Sequence, residues 1–337
     1  MPDSLGPTIT LAHGNGGRFM RLLISQIFAP HLGNPALDTQ ADAAPITLPA
    51  GEIVVTTDGF TVQPMEFPGG DIGALAIHGT VNDLAVSGAR PLYVTLAALI
   101  EEGVEIATLE RIVRSLGRAA REAGVSVVAG DTKVLPRGHG GGVYFALTGI
   151  GVREAGCRLG IGRIRAGDRV LVSGPVGDHG IAVMLAREAF GLRGDVRSDA
   201  ATVLPLTQAL LVMPGLRFMR DATRGGLVTV AHEITQGAGL GVDLDEAAIP
   251  VSEATAGVCA ILGYDPLYLA CEGRVVAVIA PEEADAALAA WRGLALGVGA
   301  AVIGTVARAA GGVVLHTPLG GARNLPELEG DPLPRIC

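Results

Sequence analysis

The sequence predicts a mixed α/β or α+β protein of two domains. The chain has 337 residues, which exceeds the roughly 100–200 residues of one ordinary domain. Hydrophobic residues make up 49% of the chain and charged residues 18%, a composition typical of a globular protein. Short apolar runs alternate with segments of helical periodicity, so strands and helices are mixed, although this pattern does not fix the strand order.

In the first part of the chain, apolar runs that favour strands lie at 53–57, 93–100, 125–129 and 143–150. The best helix begins near Glu105, where apolar residues recur at spacings of three and four, and Gly124 ends it. A further helical spacing at 20–27 follows a glycine-rich turn. These elements are expected to form the first domain.

A second block opens near Arg169, with a strand at 170–172 and an alanine-rich helix at 181–190. A further strand is predicted at 275–279. The glycine-rich stretch 151–167 is the expected boundary, which gives domains at 1–152 and 153–316. Residues 317–337 carry prolines and glycines without a helical or strand period, so we expect a mobile tail.

Composition also excludes several classes of protein. The net charge is −9 and no lysine- or arginine-rich stripe is present, which argues against general nucleic-acid binding. No segment approaches the roughly 18 unbroken apolar residues of a membrane span. The first ten residues lack the pattern of a secretory signal, and four scattered cysteines do not make a disulfide framework. The expected location is the cytoplasm.

One candidate for anion binding is the run His13-Gly14-Asn15-Gly16-Gly17, which precedes a helix. Backbone N–H groups in such a turn can hold a phosphate. The alternative is an ordinary glycine turn. The chain lacks the Gly-x-x-x-x-Gly-Lys-Ser/Thr pattern of a P-loop.

Four aspartates are candidates for a metal–ATP site. Each is expected at a loop position, three of them directly next to a strand. Mg²⁺ binds through a few carboxylates together with phosphate oxygens, so dispersed single aspartates suit it. The alternative is that each one caps a helix or forms a turn. They are Asp58, Asp83, Asp131 and Asp221.

Three charged residues are candidates for the chemistry itself. Lys133 and Arg224 closely follow two of those aspartates and can neutralise phosphate charge, whereas surface ion pairing is the alternative. Glu272 precedes a predicted strand and is a candidate general base if its surroundings raise its pKa. An exposed loop glutamate is the competing interpretation.

Cys337 places a thiol on the last residue of the proline-containing tail. A prenylation signal is excluded, because that cysteine stands four residues from the end. The other three cysteines, Cys157, Cys259 and Cys271, are expected to be small buried hydrophobes. Packing therefore explains Cys337 least well.

Taken in order, these motifs resemble the HypE family of hydrogenase maturation proteins. The resemblance covers essentially the whole chain, and its most specific element is the Pro-Arg-Ile-Cys end. The superfamily also includes aminoimidazole ribonucleotide synthetase, selenophosphate synthetase and thiamine-monophosphate kinase. The motifs are His13–Gly17, Asp58 with Phe67–Gly73, Asn82-Asp83, Gly130–Lys133, Gly177–Gly180, Asp221–Gly226 and the terminal Pro334–Cys337.

The resemblance implies a two-domain aminoimidazole ribonucleotide synthetase-like fold whose N-terminal sheets join in a homodimer. It implies that a carbamoyltransferase, HypF, loads a carbamoyl group onto Cys337. ATP, with Mg²⁺, would then drive its dehydration to thiocyanate, and the cyano group would pass to a HypC–HypD complex. Asn15 in place of serine and Gly59-Phe60 in place of a more polar pair depart from the family pattern.

The resemblance also implies roles for individual residues. Lys133 and Glu272 would accept the amide protons, with His139 as a weaker candidate. The four aspartates would hold Mg²⁺. Residues expected to contact ATP and its phosphates are His13, Gly14, Gly16, Gly17, Asn82, Gly130, Thr132, Lys133, Thr223 and Arg224.

Two alternatives stay open at this point. One is another enzyme of the superfamily, chiefly selenophosphate synthetase or a small-molecule kinase. Selenophosphate synthetases carry a reactive Cys or selenocysteine near the N-terminus, whereas the first cysteine here is Cys157. The other is a scaffold that uses its terminal cysteine to bind metal or to dock, which would leave the aspartate and glycine motifs unexplained.

Overall fold

The structure, a computed structural model, describes residues 4–187, 194–308 and 311–330. The chain divides into two compact units, as the sequence predicts. Among the described residues, the first contains those up to Leu84 together with Ala89–Ala155, and the second contains Ala85–Gly88 together with those from Gly156 to Gly330. None of the helices in the described residues is long and apolar enough to cross a membrane.

The elements follow each other along the chain in mixed order. The helices are α1 Arg18–Leu23, α2 Ala29–Leu32, α3 Ile72–Val86, α4 Ile106–Glu122, α5 Asp178–Ala186, α6 Leu204–Leu211, α7 Gly226–Ala238, α8 Glu253–Leu262 and α9 Ala284–Arg292. The strands are β1 Glu52–Phe60, β2 Glu66–Phe67, β3 Gly70–Asp71, β4 Ala89–Glu101, β5 Ser126–Leu135, β6 Val143–Arg153, β7 Arg169–Val172, β8 Leu216–Asp221, β9 Gly241–Asp245, β10 Val275–Ile279, β11 Ala301–Ala307, β12 Val313–His316 and β13 Ala322–Leu325.

The strongest sequence patterns mark real elements. The apolar runs at 53–57, 93–100 and 143–150 lie inside β1, β4 and β6, and α4 begins one residue after Glu105. The helical spacing at 20–27 belongs to a longer helix, in which a π-helical turn joins α1 to α2. The helix predicted at 181–190 is α5, and its last three predicted residues lie outside the described ranges.

The first unit is built on a four-stranded sheet in the order β1-β6-β4-β5, in which only β4 and β5 are parallel. Helix α3 packs on one face of this sheet. A Cβ atom at Gly149 of β6 would lie 2.7 Å from Thr80 and 3.0 Å from Leu84, both on α3. Gly73 of α3 lies against the main-chain carbonyl of Ile112 in α4. Glycines thus allow the close helix packing that covers this face.

None of the four aspartates lies in a loop as predicted, since Asp221 is the last residue of β8. Asp83 lies inside α3, while Asp58 and Asp131 lie inside β1 and β5. Helix α3 is apolar on nearly all sides, because it is buried, and so shows no amphipathic period. A buried helix of this kind gives no signal by which a sequence pattern can find it.

The second unit has a seven-stranded sheet in the order β13-β12-β9-β11-β7-β10-β8. All five residues of β10 are buried, and they alternate between two hydrophobic cores on the two faces of the sheet. The core on one face includes residues of α7, and the core on the other includes residues of α6 and α9 with the buried Trp291. Burial on both faces explains the continuous apolar run at 275–279.

The prediction that no strand follows His316 is wrong. Residues 322–325 form β13, which pairs antiparallel with β12 after a turn closed by Thr317 and Gly321. Only Leu325 of this short edge strand is buried. Its other three residues are polar or small and exposed, so the strand lacks the alternation that reveals longer strands.

Candidate active site

The glycine turn at 13–17 lies against the end of β5. Leu11–Gly14 form a 3₁₀ turn, and Gly16 has a φ of +78°, which glycine adopts without strain. A Cβ atom at Gly14 would lie 2.8 Å from both the amide nitrogen and the Cβ of Val134. Because Gly14 lacks a side chain, the turn can approach the strand that carries the Gly-Asp-Thr-Lys motif.

His13 is buried in this turn, with 2% of its surface exposed. The main-chain N–H of Thr10 donates to its Nδ1 at 3.0 Å. Since Nδ1 accepts, the neutral ring is assigned the tautomer with its proton on Nε2. Nε2 is buried and has no hydrogen-bond partner among the described residues. An unmet buried donor costs free energy, and an anion held in the turn would satisfy it.

Asp131 and Lys133 form an exposed ion pair on β5. Lys133 Nζ lies 3.3 Å from Asp131 Oδ2, and the two side chains are 66% and 58% exposed. Thr132 between them is buried, and its N–H donates to Asp131 Oδ1 at 2.9 Å. Gly130 is needed because a Cβ there would lie 2.8 Å from the carbonyl oxygen of Leu96. Of the two interpretations of Lys133, phosphate contact or surface ion pairing, the structure shows the surface ion pair.

Lys133 carries a signal that motif matching overlooks. It is the only lysine in the chain, and the other 24 basic residues are all arginines. Arginine stays protonated in proteins, whereas a lysine can act as a base when its surroundings lower its pKa.

Asp58 and Asp83 lie together on the helix-covered face of the sheet. Thr56 Oγ1 donates to Asp83 Oδ2 at 2.7 Å. Asp58 follows Thr56 by two residues on β1 and so shares its face. A Cβ at Gly79 would lie 3.8 Å from Asp58 Oδ2, and Gly79 is one helical turn before Asp83. The two carboxylates therefore flank one turn of α3, where Asn82 is almost fully buried.

The three aspartates of the first unit do not gather into one cluster. Asp58 aligns across β6 and β4 with Gly130, so the next residue, Asp131, points to the opposite face. Asp221 belongs to the second unit. Within the described ranges, no three His, Cys, Asp or Glu side chains are arranged to hold a metal ion. Asp58 and Asp83 remain as one pair of hard oxygen donors on a shared surface.

A cavity of about 140 Å³ borders β5. β5 is the terminal strand in the order of the sheet, so the cavity runs along its outer edge from Val127 to Thr132. The opposite wall is largely apolar, and Asp38 and Asp42 add two carboxylates. Its apolar side chains from the helical segment and the following loop are Met20, Ile24, Phe28, Leu32 and Leu37.

In the second unit, Asp221 ends β8 and is buried. The turn that follows enters α7 through Gly225 and Gly226, whose φ values are +73° and +61°. A Cβ at Gly226 would lie 2.5 Å from the carbonyl oxygen of Leu269. Side chains are thus excluded here, and the N-terminal N–H groups of α7 lie beside the exposed Arg224. Thr223 accepts the N–H of Gly226 with its carbonyl at 3.0 Å.

Glu272 is buried, with 4% of its surface exposed, which excludes the exposed-loop interpretation. The carboxylate of Asp199 accepts the N–H of Glu272 at 3.0 Å and that of Gly273 at 3.2 Å. The carbonyl of Glu272 accepts the N–H of Ala201 at 3.3 Å. The segment 199–201 therefore fixes the main chain at Glu272 from both its N–H and its carbonyl side.

Asp199 and Arg274 are functional candidates that sequence patterns miss. Arg274 Nε lies 3.3 Å from Asp199 Oδ2, with 12% and 1% of the side chains exposed. Burial raises the pKa of Asp199, while Arg274 and the two N–H donors oppose that rise. Arg274 also donates to the carbonyl of Pro175 at 2.9 Å. Asp199 belongs to no sequence motif. In the sequence, only Arg274, two residues after Glu272, indicates that a carboxylate partner is needed.

The motif Gly177–Gly180 opens α5 beside this loop. His179 is fully buried, its Nδ1 lies 2.8 Å from Ser198 Oγ, and burial lowers its pKa to about 3. Gly177 donates its N–H to the sulfur of Cys271 at 3.2 Å. Burial raises the pKa of the Cys271 thiol well above its usual range, so this thiol stays neutral, as expected of a buried cysteine.

Two predicted residues complete the set. His139 is exposed in the turn after β5, and its N–H donates to the carbonyl of Pro136 at 3.1 Å. Cys337 lies outside the described residues.

The chain matches known protein families over most of its length. Residues 40–153 match the N-terminal domain of AIR synthase related proteins, and residues 165–316 match their C-terminal domain. The carbamoyl dehydratase HypE of Azotobacter vinelandii is 46% identical over 337 residues, which cover 99% of each chain. This chain belongs to the HypE family of carbamoyl dehydratases. It is therefore an enzyme, and the superfamily alternatives and the scaffold are excluded.

Solved HypE structures share the fold. A hydrogenase maturation protein HypE in complex with ATP is 44% identical, with a TM-score of 0.93 over 98% of this chain and 100% of the other. A HypE chain from a HypE–HypF complex is 41% identical, with a TM-score of 0.80 over 91% and 99% of the two chains. The predicted AIR synthase-like fold is confirmed by these matches and by the two domain families.

Proposed function

We propose that this enzyme uses ATP to dehydrate an S-carbamoyl group on its own Cys337 to thiocyanate, which supplies a cyanide ligand to a nickel–iron hydrogenase. Family membership supports the dehydratase class. The observation in the structure that favours an ATP-driven reaction is the contact of the glycine turn with β5. The contact brings a glycine turn that contains the unmet Nε2 donor of His13 next to the strand of Lys133, which supports the proposed binding of an anion there.

ATP is the proposed dehydrating agent. A relative at 44% identity has been solved with ATP, and the chain carries two glycine turns fit to receive phosphates: one at 13–17, the other at the start of α7 with Thr223 and Arg224. The cavity along β5 offers an apolar wall and a main-chain edge to the adenine base. Gly130 and Thr132 line this cavity.

Mg²⁺ is proposed as the accompanying ion. The carboxylates of Asp58 and Asp83 flank one turn of α3, which suits an ion that takes a few protein oxygens and completes its shell with phosphate and water. Asp131 and Asp221 are proposed, from their sequence motifs alone, as further oxygen donors for Mg²⁺. When bound, Mg²⁺ would neutralise phosphate charge during transfer.

The chemistry balances as follows. The carbonyl oxygen of the thiocarboxamide attacks the γ-phosphorus of ATP, the bond to ADP breaks, and one N–H proton is lost. The second N–H proton then leaves as the C–O bond breaks, which gives S–C≡N and inorganic phosphate. Lys133 and Glu272 are proposed as the two proton acceptors, with His139 as a weaker candidate. Phosphorylation is needed because it converts the amide oxygen into a good leaving group.

A homodimer is proposed from the uncovered face of the first sheet. Ile53 and Val55 on its edge strand β1 are 57% and 60% exposed, although both are strand-forming apolar side chains. A second copy laid on this face would bury them. Sedimentation of Val55→Glu is expected to show a monomer. A dimer of undiminished affinity would place the interface elsewhere.

Two partners follow from the proposal. HypF is proposed to load the carbamoyl group, in line with the solved HypE–HypF complex of a relative. A HypC–HypD complex is proposed as the acceptor of the cyano group. The cytoplasm is the proposed location, on the sequence alone.

Intact mass spectrometry tests the central claim. The protein is loaded by a HypF carbamoyltransferase, measured before and after Mg-ATP, and compared with Cys337→Ala. We expect a carbamoyl adduct that loses the mass of one water only with ATP and that is absent from the variant. An adduct on another residue, or water loss without ATP, would overturn the assignment.

A further inference from the structure

The last described stretch of the chain, 322–330, is docked rather than free. After β13 pairs with β12, Leu325 enters the core of the second unit with 2% of its surface exposed. Arg323 also forms an ion pair of 2.9 Å with Asp265. We call residues 322–328 the strap. Its docking contradicts a tail that is mobile from 317 onward.

Three side chains hold the strap beyond the end of β13. His232 Nε2 donates to the carbonyl of Leu325 at 2.9 Å, and the Tyr268 hydroxyl donates to the carbonyl of Pro326 at 2.9 Å. Gln236 Nε2 donates to the carboxylate of Glu327 at 3.1 and 3.2 Å. His232 and Gln236 lie on α7, one turn apart. The strap is thus held at three successive residues.

The strap leads to the turn at the start of α7. Leu328 is half-buried, and its Cδ2 lies 3.5 Å from the position of a Cβ at Gly225. The chain passes from the level of His232 back toward the N-terminal end of the helix. The strap therefore ends beside Thr223 and Arg224, which the proposed function assigns to phosphate binding.

We propose that the strap stays docked throughout the reaction and that Tyr268, His232 and Gln236 are positioning residues for the reactive cysteine. This proposal rests on the proposed function of Cys337. Seven residues follow Gly330, and seven residues span at most about 25 Å. A fixed starting point beside the α7 turn confines the thiol to that radius, which raises its effective concentration at the nucleotide.

Hydrogen–deuterium exchange tests the docking without relying on catalysis. The full-length protein is measured alone, with Mg-ATP, and after loading with the carbamoyl group. We expect the amides of 322–325 to stay protected to the same degree in all three states. Exchange at the rate of an unstructured peptide in any of them would overturn the proposal.

A strap-release variant tests the positioning role. Tyr268→Phe combined with Gln236→Ala removes the contacts at Pro326 and Glu327 and leaves β13 paired with β12, so about twelve residues after Leu325 are freed in place of seven. Because effective concentration falls with about the −3/2 power of length, single-turnover dehydration should slow about twofold. ATP affinity should be unchanged, since no ATP contact is altered. Tyr264→Phe is the matched control and should dehydrate at the normal rate.

An insertion provides a second route if the release variant folds poorly. Seven Gly/Ser residues placed after Gly330 leave every strap contact intact and should slow single-turnover dehydration about threefold by the same scaling. An unchanged or faster rate would overturn the positioning role. If the unaltered protein shows no ATP-dependent water loss, the proposed function fails, while the exchange result still decides whether the strap is docked.

Discussion

Two ion pairs of this enzyme have the same separation and opposite surroundings. Lys133 and Asp131 are 3.3 Å apart and mostly exposed, whereas Arg274 and Asp199 are 3.3 Å apart and nearly fully buried. An exposed pair contributes little to stability and is easily exchanged for a ligand. A buried pair is fixed, because neither charge can be left alone without a large cost. Distance alone therefore does not reveal what an ion pair does.

The two pairs differ in how accessible their surroundings are to a ligand. On β5 the charged groups are accessible to a nucleotide that arrives from solvent. Around Glu272, by contrast, Asp199 accepts two main-chain N–H groups and pairs with Arg274, so the main chain that carries the proposed base is fixed. Substitutions in the two regions should differ in kind, with effects on rate in one and on both rate and stability in the other.

The largest effect is expected for Glu272→Gln. The amide keeps the size of the side chain but cannot accept a proton, so single-turnover dehydration should fall about 1,000-fold. Glu283→Gln is the matched control, since Glu283 accepts the N–H of Gly215 at 2.8 Å elsewhere in the second unit. Water loss is followed by mass spectrometry at saturating ATP. A normal rate in Glu272→Gln would show that another group takes the proton.

A stability comparison uses the two aspartates. Asp199→Asn leaves the Arg274 charge buried without its partner, so the free energy of unfolding should fall by about 3 kcal/mol. Asp131→Asn removes an exposed pair and should cost less than about 1 kcal/mol. Urea denaturation measures both. Equal losses would mean that burial does not distinguish the two pairs in solution.

The smallest of these effects is expected for Lys133→Arg, which keeps the positive charge and removes a group able to act as a base. We expect dehydration to slow about tenfold while ATP affinity stays within about twofold. Lys133→Met serves as the companion variant, because it removes the charge as well and should also weaken ATP binding. If Lys133→Arg dehydrates normally, Lys133 acts through its charge alone.

The elements that the sequence predicts well are those with a regular pattern. Helix α4 buries one face, including Leu109, Ile112 and Leu116, and therefore shows its period. Strand β10 is buried on both faces and appears as a continuous apolar run. Helix α3 is missed because burial on nearly all sides removes the period, and the sequence therefore predicts a loop at Asp83. Strand β13 is missed because a four-residue edge strand needs only one buried side chain.

Within the candidate site, the motifs identify the residues but not the face of the sheet on which each side chain lies. The alternation of β5 puts Asp131 and Thr132 on opposite sides, and the register with β1 puts Asp58 on the side away from Asp131. Strand register depends on contacts between distant segments, which no local pattern carries. Asp199 is invisible for the same reason, because its partners Glu272 and Arg274 lie more than 70 residues away in the chain.

Because Lys133 is the only lysine of the chain, it can be labelled selectively. Apart from the α-amino group, it is the only primary amine in the chain, and its side chain is exposed. An amine-selective acylating reagent would therefore label a single side chain, and the extent of labelling would read out the occupancy of that surface directly. Because every other Lys or Arg position holds arginine, Lys133 can serve as a chemical reporter of ligand binding at this surface.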